Sequence, residues 1–221
     1  MRLLRHRRRR RSAAASAYRA AKPPPPATPW REARYAVVDL ETTGLDPRRD
    51  EIISFASVPI EDARVIVGGT RTTIVRPTRM PEAQTIRIHG FRSADLVNAP
   101  TLPEALDVIL EALTGRVLVA HVAWVERGFL AAAIKPAGLR LVEPVLDTAA
   151  LAQRVRGPDR RNDAESLPLS DAAASLGLPV HRPHHADGDA LTTAQLFLAL
   201  AAHLDRTEPQ TVGSLARLSE G

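Results

Sequence analysis

The sequence has no cysteine, and its only lysines are Lys22 and Lys135. The absence of cysteine excludes disulfides and thiolate metal sites, so any bound metal must be held by carboxylates or histidines. No uninterrupted apolar run of about 18 residues occurs, which excludes an ordinary membrane-spanning helix. A glycine-rich phosphate loop and a histidine–cysteine zinc cluster are also missing. These absences favour a protein that does not span a membrane and that binds any metal through oxygen or nitrogen.

The positive charge of the chain is unevenly distributed. At 221 residues and 44% apolar content, the chain is long enough for one ordinary α/β domain with tails. Residues 1–22 carry eight arginines and one lysine with no acid, whereas residues 23–221 carry 21 basic and 25 acidic side chains. The net charge of +5 therefore comes from the N-terminus, and the folded part is expected to be mildly acidic.

Residues 1–29 are predicted to form a disordered basic tail. They contain the arginine run Arg7–Arg11, an alanine and serine stretch, and the four prolines Pro23–Pro26. Arginine-rich, acid-free segments of this kind are also typical of organelle transit peptides. We expect a solvated tail able to contact nucleic acid, in a cytoplasmic protein of bacterial type, with organelle targeting as the less favoured alternative.

Apolar periodicity predicts a mixed α/β domain over residues 30–206, followed by a C-terminal tail over residues 207–221. Strands are predicted at Tyr35–Leu40, Ile52–Ile60, Val65–Val75 (with a bulge at Gly68-Gly69), Arg116–Ala120 and Leu141–Leu146. Helices are predicted at Pro103–Leu113 (capped by Thr101), Ala123–Ile134, Thr148–Arg154, Ser170–Leu176 and Asp187–Leu204. Three strands followed by alternating strands and helices predict a single domain in which helices flank a mixed sheet.

Asp39 and Glu41 stand at the end of the first predicted strand and carry the densest chemical signal. Because side chains alternate along a strand, both carboxylates project from one face, about 7 Å apart. Two half-buried like charges are costly unless a cation compensates them, and Mg²⁺ prefers carboxylate oxygens. Taken alone, however, the pair fits two solvated acids at a strand end at least as well.

The segment VVDLETTGLDP, residues 37–47, resembles the first motif of the DnaQ-like, or DEDDh, exonuclease superfamily. That superfamily includes the epsilon proofreading subunit of bacterial DNA polymerase III and ribonuclease T. The resemblance extends over most of the domain, from Tyr35 to His203. It implies a ribonuclease-H-like fold, with Asp39 and Glu41 among four acids that bind two Mg²⁺ or Mn²⁺ ions, and one histidine as general base.

The third motif of the family is matched around His184-His185-Ala186-Asp187-Gly188-Asp189-Ala190. The family places its general-base histidine five residues before a metal-binding aspartate. This spacing pairs His184 with Asp189 and leaves His185 opposite Ala190. An aspartate in the first turn of a helix is also favoured by the helix dipole. The simpler alternative is a histidine-rich loop followed by a capping aspartate.

The middle motif, at His121–Leu130, departs from the family pattern. The family commonly has His-Asn, two further residues and then Phe-Asp, whereas this chain has Val122 in place of the Asn and Glu126 in place of the Asp. Glu126 is the only acid between Glu111 and Glu143, so the resemblance assigns it the fourth metal ligand. Glutamate presents the same hard oxygen on a longer side chain. The alternative is a surface glutamate in a weak or inactive enzyme.

The resemblance also implies contacts with substrate. Thr42, Thr43 and Leu45 lie where the family holds the terminal nucleotide, with a hydroxyl at the 3′-OH and an apolar side chain against the base. His89 matches a position that often contacts substrate, although a structural role is an equal alternative.

Two further residues near these motifs are assigned structural roles. Asp147, which with Thr148 matches a recurrent strand-end pair of the family, is interpreted as structural. Trp124, inside the middle motif, is interpreted as a packing residue rather than one that recognises substrate.

The function implied is that of a 3′→5′ exonuclease that cleaves nucleic acid to nucleoside 5′-monophosphates by a two-metal-ion mechanism. Single-stranded DNA is the expected substrate. An exoribonuclease of the same family is an alternative, because motif spacing does not reveal how the 2′-position is contacted. A weakly active binding module associated with a DNA polymerase is another, favoured by the altered middle motif. The expected partners are nucleic acid 3′ ends and, as a candidate, a DNA polymerase; the oligomeric state is left open.

Overall fold

The computed structural model describes residues 12–79, 90–156 and 167–220. Within these ranges, one mixed sheet runs in the order β3-β2-β1-β5-β6, and β4 lies beside β2 on the same edge as β3. The strands are β1 (Tyr35–Thr42), β2 (Ile52–Glu61), β3 (Arg64–Val65), β4 (Arg71–Ile74), β5 (Val117–Ala120) and β6 (Val145–Asp147).

Helices cover both faces of this sheet. None of the helices in the described ranges combines the length and apolarity needed to span a bilayer. The helices are α1 (Ala13–Ala20), α2 (Ser93–Leu96), α3 (Leu102–Leu113), α4 (Trp124–Ile134), α5 (Thr148–Arg156), α6 (Leu169–Ser175), α7 (Ala186–Asp205) and α8 (Val212–Ser219). Helices flanking a mixed sheet are the predicted fold class, which is confirmed.

The register of the sheet decides which residues become neighbours at its functional edge. β1 and β2 are antiparallel, with Asp39 opposite Ala56 and Glu41 opposite Ser54. β5 and β6 run parallel to β1. The C-terminal ends of β1, β5 and β6 therefore meet at one edge, where parallel α/β sheets commonly place their ligands.

Side-chain alternation along β1 divides the core into two layers. Tyr35 and Val37 pack with α5, α7 and α8, whereas Ala36 and Val38 pack with α1, α3 and α4. Asp39 continues the row of Tyr35 and Val37, so its carboxylate points to the α7 side of the sheet. The alternation of β1 thus directs the predicted metal ligands toward the helix that carries Asp189.

Two predicted strands are shorter than expected. The prediction of one continuous strand over Val65–Val75 is wrong, because a 3₁₀ turn at Val67–Gly69 separates β3 from β4. That turn lies against Pro59, whose Cγ would be 2.8 Å from a Cβ added at Gly69. The strand predicted at Leu141–Leu146 is reduced to β6, since Pro144 has no amide hydrogen to join the ladder.

The prediction of a disordered tail is wrong for residues 12–29. Ser12 caps α1 through its Oγ, which accepts a hydrogen bond from the Ala15 amide at 3.1 Å. Tyr18 lies on the buried side of α1, where its hydroxyl donates to the Arg140 carbonyl and accepts from the Val142 amide. α1 therefore forms a packed layer on α3. The arginine run Arg7–Arg11 lies outside the described residues.

The C-terminal segment is also folded, which corrects the predicted tail over residues 207–221. α8 packs on α5 and β6, with Val212 and Leu215 fully buried in the core. The amides of Val212 and Gly213 donate to the carbonyls of Thr28 and Pro26. The segment before β1 and the C-terminal segment therefore hold each other in place, and both belong to the same folded body over the described residues.

Candidate active site

Three of the predicted metal ligands converge at the carboxyl edge of the sheet. Asp39 and Glu41 lie at the end of β1, and Asp189 lies in the first turn of α7. One carboxylate oxygen from each lies within 4.8 Å of the other two. Residues 150 positions apart in sequence thus form one cluster of hard oxygen donors, the type of ligand that Mg²⁺ and Mn²⁺ prefer.

The chain entering α7 fixes the orientation of Asp189. The backbone amide of His184 donates to Asp189 Oδ2 at 2.8 Å, which leaves Oδ1 for another ligand. The loop can approach this closely because a Cβ at Gly188 would clash with the carbonyl oxygens of His181 and Arg182. Glycine in the first turn of α7 therefore sets the distance between the loop and the helix.

The electrostatics of the cluster call for a cation. Burial raises the pKa of Asp39, and the charges of Glu126, Glu41 and Asp189 raise it further. Burial, followed by the charge of Asp189, raises the pKa of Glu41 to about 7. Burial also raises the pKa of Asp189, against the lowering effect of the His184 amide. Nearby divalent charge would favour the ionised forms of all these groups.

Glu126 lies beside this cluster, buried at the N-terminus of α4 with only 5% exposure. Burial, with the charges of Asp147 and Glu41, raises its pKa to about 8. Its Oε2 is buried and has no hydrogen-bond partner among the residues that the structure describes. The surface glutamate considered as an alternative is therefore excluded. A buried carboxylate oxygen without a donor in the described part of the chain, close enough to Asp39 and Glu41 for their charges to interact, fits a divalent cation.

A tight turn before α4 holds Glu126 at this position. Asp147 accepts hydrogen bonds from the amides of Val122 at 3.0 Å, Ala123 at 3.1 Å and Ala149 at 2.8 Å. These bonds agree with its interpretation as a structural residue. His121 ties the same turn to the Leu167 carbonyl through Nε2 at 2.8 Å, a role that the sequence did not reveal.

His184 and His185 occupy different surroundings on the loop before α7. His184 is exposed, has a φ of 61°, and lies close enough to Asp189 to lower the pKa of that carboxyl. The His185 ring approaches the Pro183 carbonyl with Nδ1 at 3.2 Å and lines a groove next to the carboxylates, and after His184 it also lowers the pKa of Asp189. No hydrogen bond between either ring and a carboxylate of the cluster is formed among the described residues.

The loop after β1 contains the other predicted substrate contacts. Thr42 donates to the Gly44 carbonyl, and the Thr43 hydroxyl contacts Asp50 at 3.2 Å and accepts from the Glu51 amide at 3.0 Å. These hydroxyls therefore also shape the loop. Leu45 projects into solvent with 65% exposure. The fourth predicted contact, His89, lies outside the described residues.

A groove of about 310 Å³ lies next to the carboxylates, at the β2 positions that pair with Asp39 and Glu41. Its floor contains Ser54 and Ala56, the cross-strand partners of Glu41 and Asp39, and then residues of β4. We call it the β4 groove. The β4 residues are Thr72, Thr73 and Ile74, and the rest of the lining consists of Phe91, Arg182, His185, Ala186 and Asp187. Sequence alternation predicted none of these residues as site residues, because their proximity depends on the register between strands.

Trp124 is 56% exposed, so its interpretation as a packing residue is wrong. The buried side of α4 is formed by Glu126, Phe129, Leu130, Ala133 and Ile134. Trp124 lies on the opposite side of the helix, at its first residue.

Comparison with known proteins agrees with this geometry. Residues 36–197 match the family described as exonuclease, of the ribonuclease T type. The chain is 35% identical over 170 residues to the PolC-type DNA polymerase III of Thermotoga petrophila, covering 76% of this chain and 12% of that protein. It is 33% identical over 189 residues to a DNA polymerase III subunit epsilon-like protein of Rhodobacter capsulatus, covering 85% and 26%.

Solved structures share the fold. Exonuclease X in complex with 5′ overhanging duplex DNA is similar with a TM-score of 0.63 and 24% identity, covering 84% of this chain and 98% of that one. Exonuclease I of E. coli in complex with a dT13 oligonucleotide has a TM-score of 0.68 and 14% identity, covering 79% and 42%. The chain spans about an eighth to a quarter of the two curated relatives described above. With its profile match over most of the chain and its carboxylate cluster in place, this protein belongs to the exonuclease family of the DnaQ and ribonuclease T type.

Proposed function

We propose that this chain is a 3′→5′ exonuclease that depends on Mg²⁺ or Mn²⁺ and releases nucleoside 5′-monophosphates from single-stranded DNA. The observation that carries the proposal is the convergence of Asp39, Glu41 and Asp189 within 4.8 Å, beside the buried, unpartnered oxygen of Glu126. Four carboxylates are sufficient to hold two divalent ions. Such ions, when bound, supply electrostatic stabilisation of the charge that develops on a phosphodiester during hydrolysis.

The residues of the chain have distinct roles in this proposal. His184 accepts a proton from the water that attacks the terminal phosphorus. The bond between this phosphorus and the 3′-oxygen of the preceding nucleotide breaks, and that oxygen takes a proton from solvent. The phosphate therefore stays on the 5′-oxygen of the released nucleotide. The exposed loop before α7 leaves His184 free to approach this water, and its imidazole has a ring nitrogen able to accept the proton.

The β4 groove supports an extended substrate. It begins at the cross-strand neighbours of Asp39 and Glu41, and its walls present hydroxyl groups together with Arg182 and His185. Hydroxyl and guanidinium groups are suited to sugar and phosphate contacts, and a phosphate would compete with Asp187, which pairs with Arg182 at 2.8 Å. An RNA substrate remains the alternative, since these contacts do not distinguish the 2′-position. A partnership with a DNA polymerase is favoured by the two polymerase III relatives.

The test compares degradation of single-stranded DNA and RNA labelled at either the 3′ or the 5′ end, with Mg²⁺, Mn²⁺ or EDTA. We expect immediate release of labelled mononucleotide from 3′-labelled DNA and a descending ladder from 5′-labelled DNA. EDTA should abolish both, and mass spectrometry should identify a 5′-monophosphate. Asp189→Asn is the matched control for contaminating nuclease. Equal degradation by this variant, or release from the 5′ end, would contradict the proposal.

A further inference from the structure

Trp124 is the one aromatic residue of this chain that is left largely in water. All eight aromatic residues lie within the described ranges, and Phe91 is half-buried. An exposed indole is typical of a surface that contacts a partner or ligand. The other six are buried: Tyr18, Trp30, Tyr35, Phe55, Phe129 and Phe197.

The position of Trp124 on α4 brings it to the rim of the candidate active site. Gly128 lies one turn further along the same side of the helix. A Cβ added there would be 2.7 Å from Pro47 Cγ, so the loop after β1 crosses α4 at this glycine. Leu45 lies two residues before Pro47 on that loop and is 65% exposed. Two large apolar side chains therefore project into solvent near the point where loop and helix meet.

Several guanidinium groups lie around this rim, and one of them, Arg49, pairs with Asp46 on the same loop at 3.8 Å. Arg48 and Arg49 follow Pro47 on the loop and are exposed. Arg127 lies three residues after Trp124 on α4, with its side chain 60% exposed and paired with Glu143 at 2.7 Å. The rim thus combines an exposed aromatic ring with guanidinium groups, whereas the interior of the site is acidic. A ligand that fits both must offer a flat apolar surface and negative charge.

We propose that Trp124 stacks on a nucleobase of the single-stranded substrate close to its 3′ end, across the rim from Leu45. This inference rests on the proposed exonuclease function and adds a specific base platform to it. Aromatic stacking accepts every base, because each has a π-face, and neighbouring arginines can follow the phosphates. Trp124 does not reach the reacting atoms in this arrangement, so it contributes to substrate binding rather than to the chemical step.

Intrinsic fluorescence can test the contact directly. The chain has two tryptophans, and Trp30 is only 2% exposed, so a ligand-induced change reports on Trp124. The full chain is titrated, in Mg²⁺, with an oligothymidylate whose terminal phosphorothioate linkages resist hydrolysis, while the anisotropy of a 5′ label measures binding independently. We expect saturable quenching with the same Kd as the anisotropy. Binding without any change in tryptophan fluorescence would overturn the assignment.

Kinetics provide the second readout. Trp124→Leu should raise KM for oligothymidylate about 10-fold with kcat unchanged, which is the size of effect expected from the loss of one stacked base. Trp124→Phe should restore most of the affinity. Val67→Ala, which removes an apolar group of 60% exposure at the far end of the sheet, is the matched control and should keep the wild-type KM. A wild-type KM in Trp124→Leu would overturn the proposal.

The failure of this inference can be told apart from failure of the proposed function. If the wild-type chain degrades DNA normally and Trp124→Leu behaves in the same way, the function stands and the stacking platform is refuted. If the wild-type chain neither binds nor degrades DNA, both proposals fall together. A wild-type dimer that Trp124→Leu converts to a monomer would assign this surface to a second copy of the chain, which would also overturn the inference.

Discussion

Asp147 Oδ1 accepts a hydrogen bond of 3.0 Å from the backbone amide of Val122, a β-branched residue with a φ of 61°. Positive φ is unfavourable for a β-branched side chain. The strained turn nevertheless delivers the chain into α4 with Glu126 directed at the other carboxylates. The hydrogen bonds of Asp147 therefore stabilise a local conformation that the sequence of the turn opposes.

Val122→Asn should relieve this strain. Asparagine tolerates the left-handed region, so the variant is expected to gain about 1 kcal/mol of unfolding free energy and to keep its activity. Urea denaturation and nuclease assays would measure both. Val180→Asn, an exposed valine without positive φ, is the matched control and should gain nothing. A loss of stability in Val122→Asn would mean that the packing of the valine side chain outweighs its backbone strain.

The N-terminal segment should contribute to stability in two distinct parts. Deleting residues 1–29 removes α1 and the backbone hydrogen bonds between residues 26–28 and α8. We therefore expect a loss of several kcal/mol in unfolding free energy. Tyr18→Ala alone should cost about 3 kcal/mol, and Tyr18→Phe about 1 kcal/mol for its hydrogen bonds. Deleting residues 1–11 is the control.

Calorimetry and denaturant unfolding would measure these differences. Removal of residues 1–11 should leave the midpoint near the wild-type value and should weaken affinity for long DNA at low salt, since arginines bind phosphates by counterion release. A wild-type melting temperature after removal of residues 1–29 would contradict the role of α1 in the fold.

The sequence was informative where a local rule decided the outcome. Strand alternation put Asp39 and Glu41 on one face, whereas the resemblance to the family, through its histidine–aspartate spacing, implied Asp189 as the acid that joins them. The α1 helix was not predicted because its alanine-rich face becomes a buried surface only through packing on α3, which lies nearly a hundred residues away in the sequence. The exposure of Trp124 was missed for a related reason: an apolar residue at the first position of a helix can fall on either side.

Long-range contacts explain the remaining differences. The break between β3 and β4 follows from the close approach of Gly69 to Pro59. Hydrophobic periodicity within one segment does not reveal such a contact. The β4 groove was missed because Ser54 and Thr72 join the site only through the pairing of three strands. Composition also misled at the N-terminus, where prolines and arginines are typical of a tail, yet Tyr18 is buried and the Thr28 carbonyl accepts a hydrogen bond from the Val212 amide.

The two histidines of the third motif should respond differently to removal. His184→Ala is expected to lower kcat about 10²–10⁴-fold, the usual effect of losing a general base. His185 lines the β4 groove, so His185→Ala should raise KM by a few-fold and leave kcat near wild type. Steady-state kinetics on 3′-labelled oligonucleotides would separate these effects. The reverse pattern would mean that the histidine paired with Asp189 has been assigned one residue too early.

The stability of the metal-free protein should fall as pH rises. The pKa of Glu126 is raised from 4.5 in the unfolded chain to about 8 in the folded protein. Between these values the folded state binds more protons than the unfolded state, so the free energy of unfolding decreases with increasing pH. EDTA-treated protein is therefore expected to melt at a lower temperature near pH 8 than near pH 5, and saturating Mg²⁺ should raise the melting temperature most at the higher pH.

Glu126→Gln provides the control for this titration. The amide cannot ionise, so the metal-free variant should be more stable than wild type near pH 8 and should depend less on pH. Glu143→Gln, at an exposed carboxylate paired with Arg127, should leave the slope unchanged. A metal-free wild-type protein whose stability rises between pH 5 and pH 8 would contradict the assigned burial of charge.

Replacement of Glu126 also tests whether it is the fourth metal ligand. Glu126→Gln keeps the shape of the side chain but removes the negative charge, so activity should fall by at least about 10²-fold, or roughly 2.7 kcal/mol of barrier. Glu126→Asp restores the residue that the family commonly has and should remain at least partly active. The longer glutamate should also tolerate Mn²⁺ better than Mg²⁺, which demands near-ideal octahedral geometry. We therefore expect the wild-type enzyme to be faster with Mn²⁺ and this preference to shrink in Glu126→Asp. Nuclease rates of the wild type and both variants, measured with each ion, test whether Glu126 is a metal ligand. A fully active Glu126→Gln enzyme would contradict that role and leave Asp39, Glu41 and Asp189 as the proposed ligands.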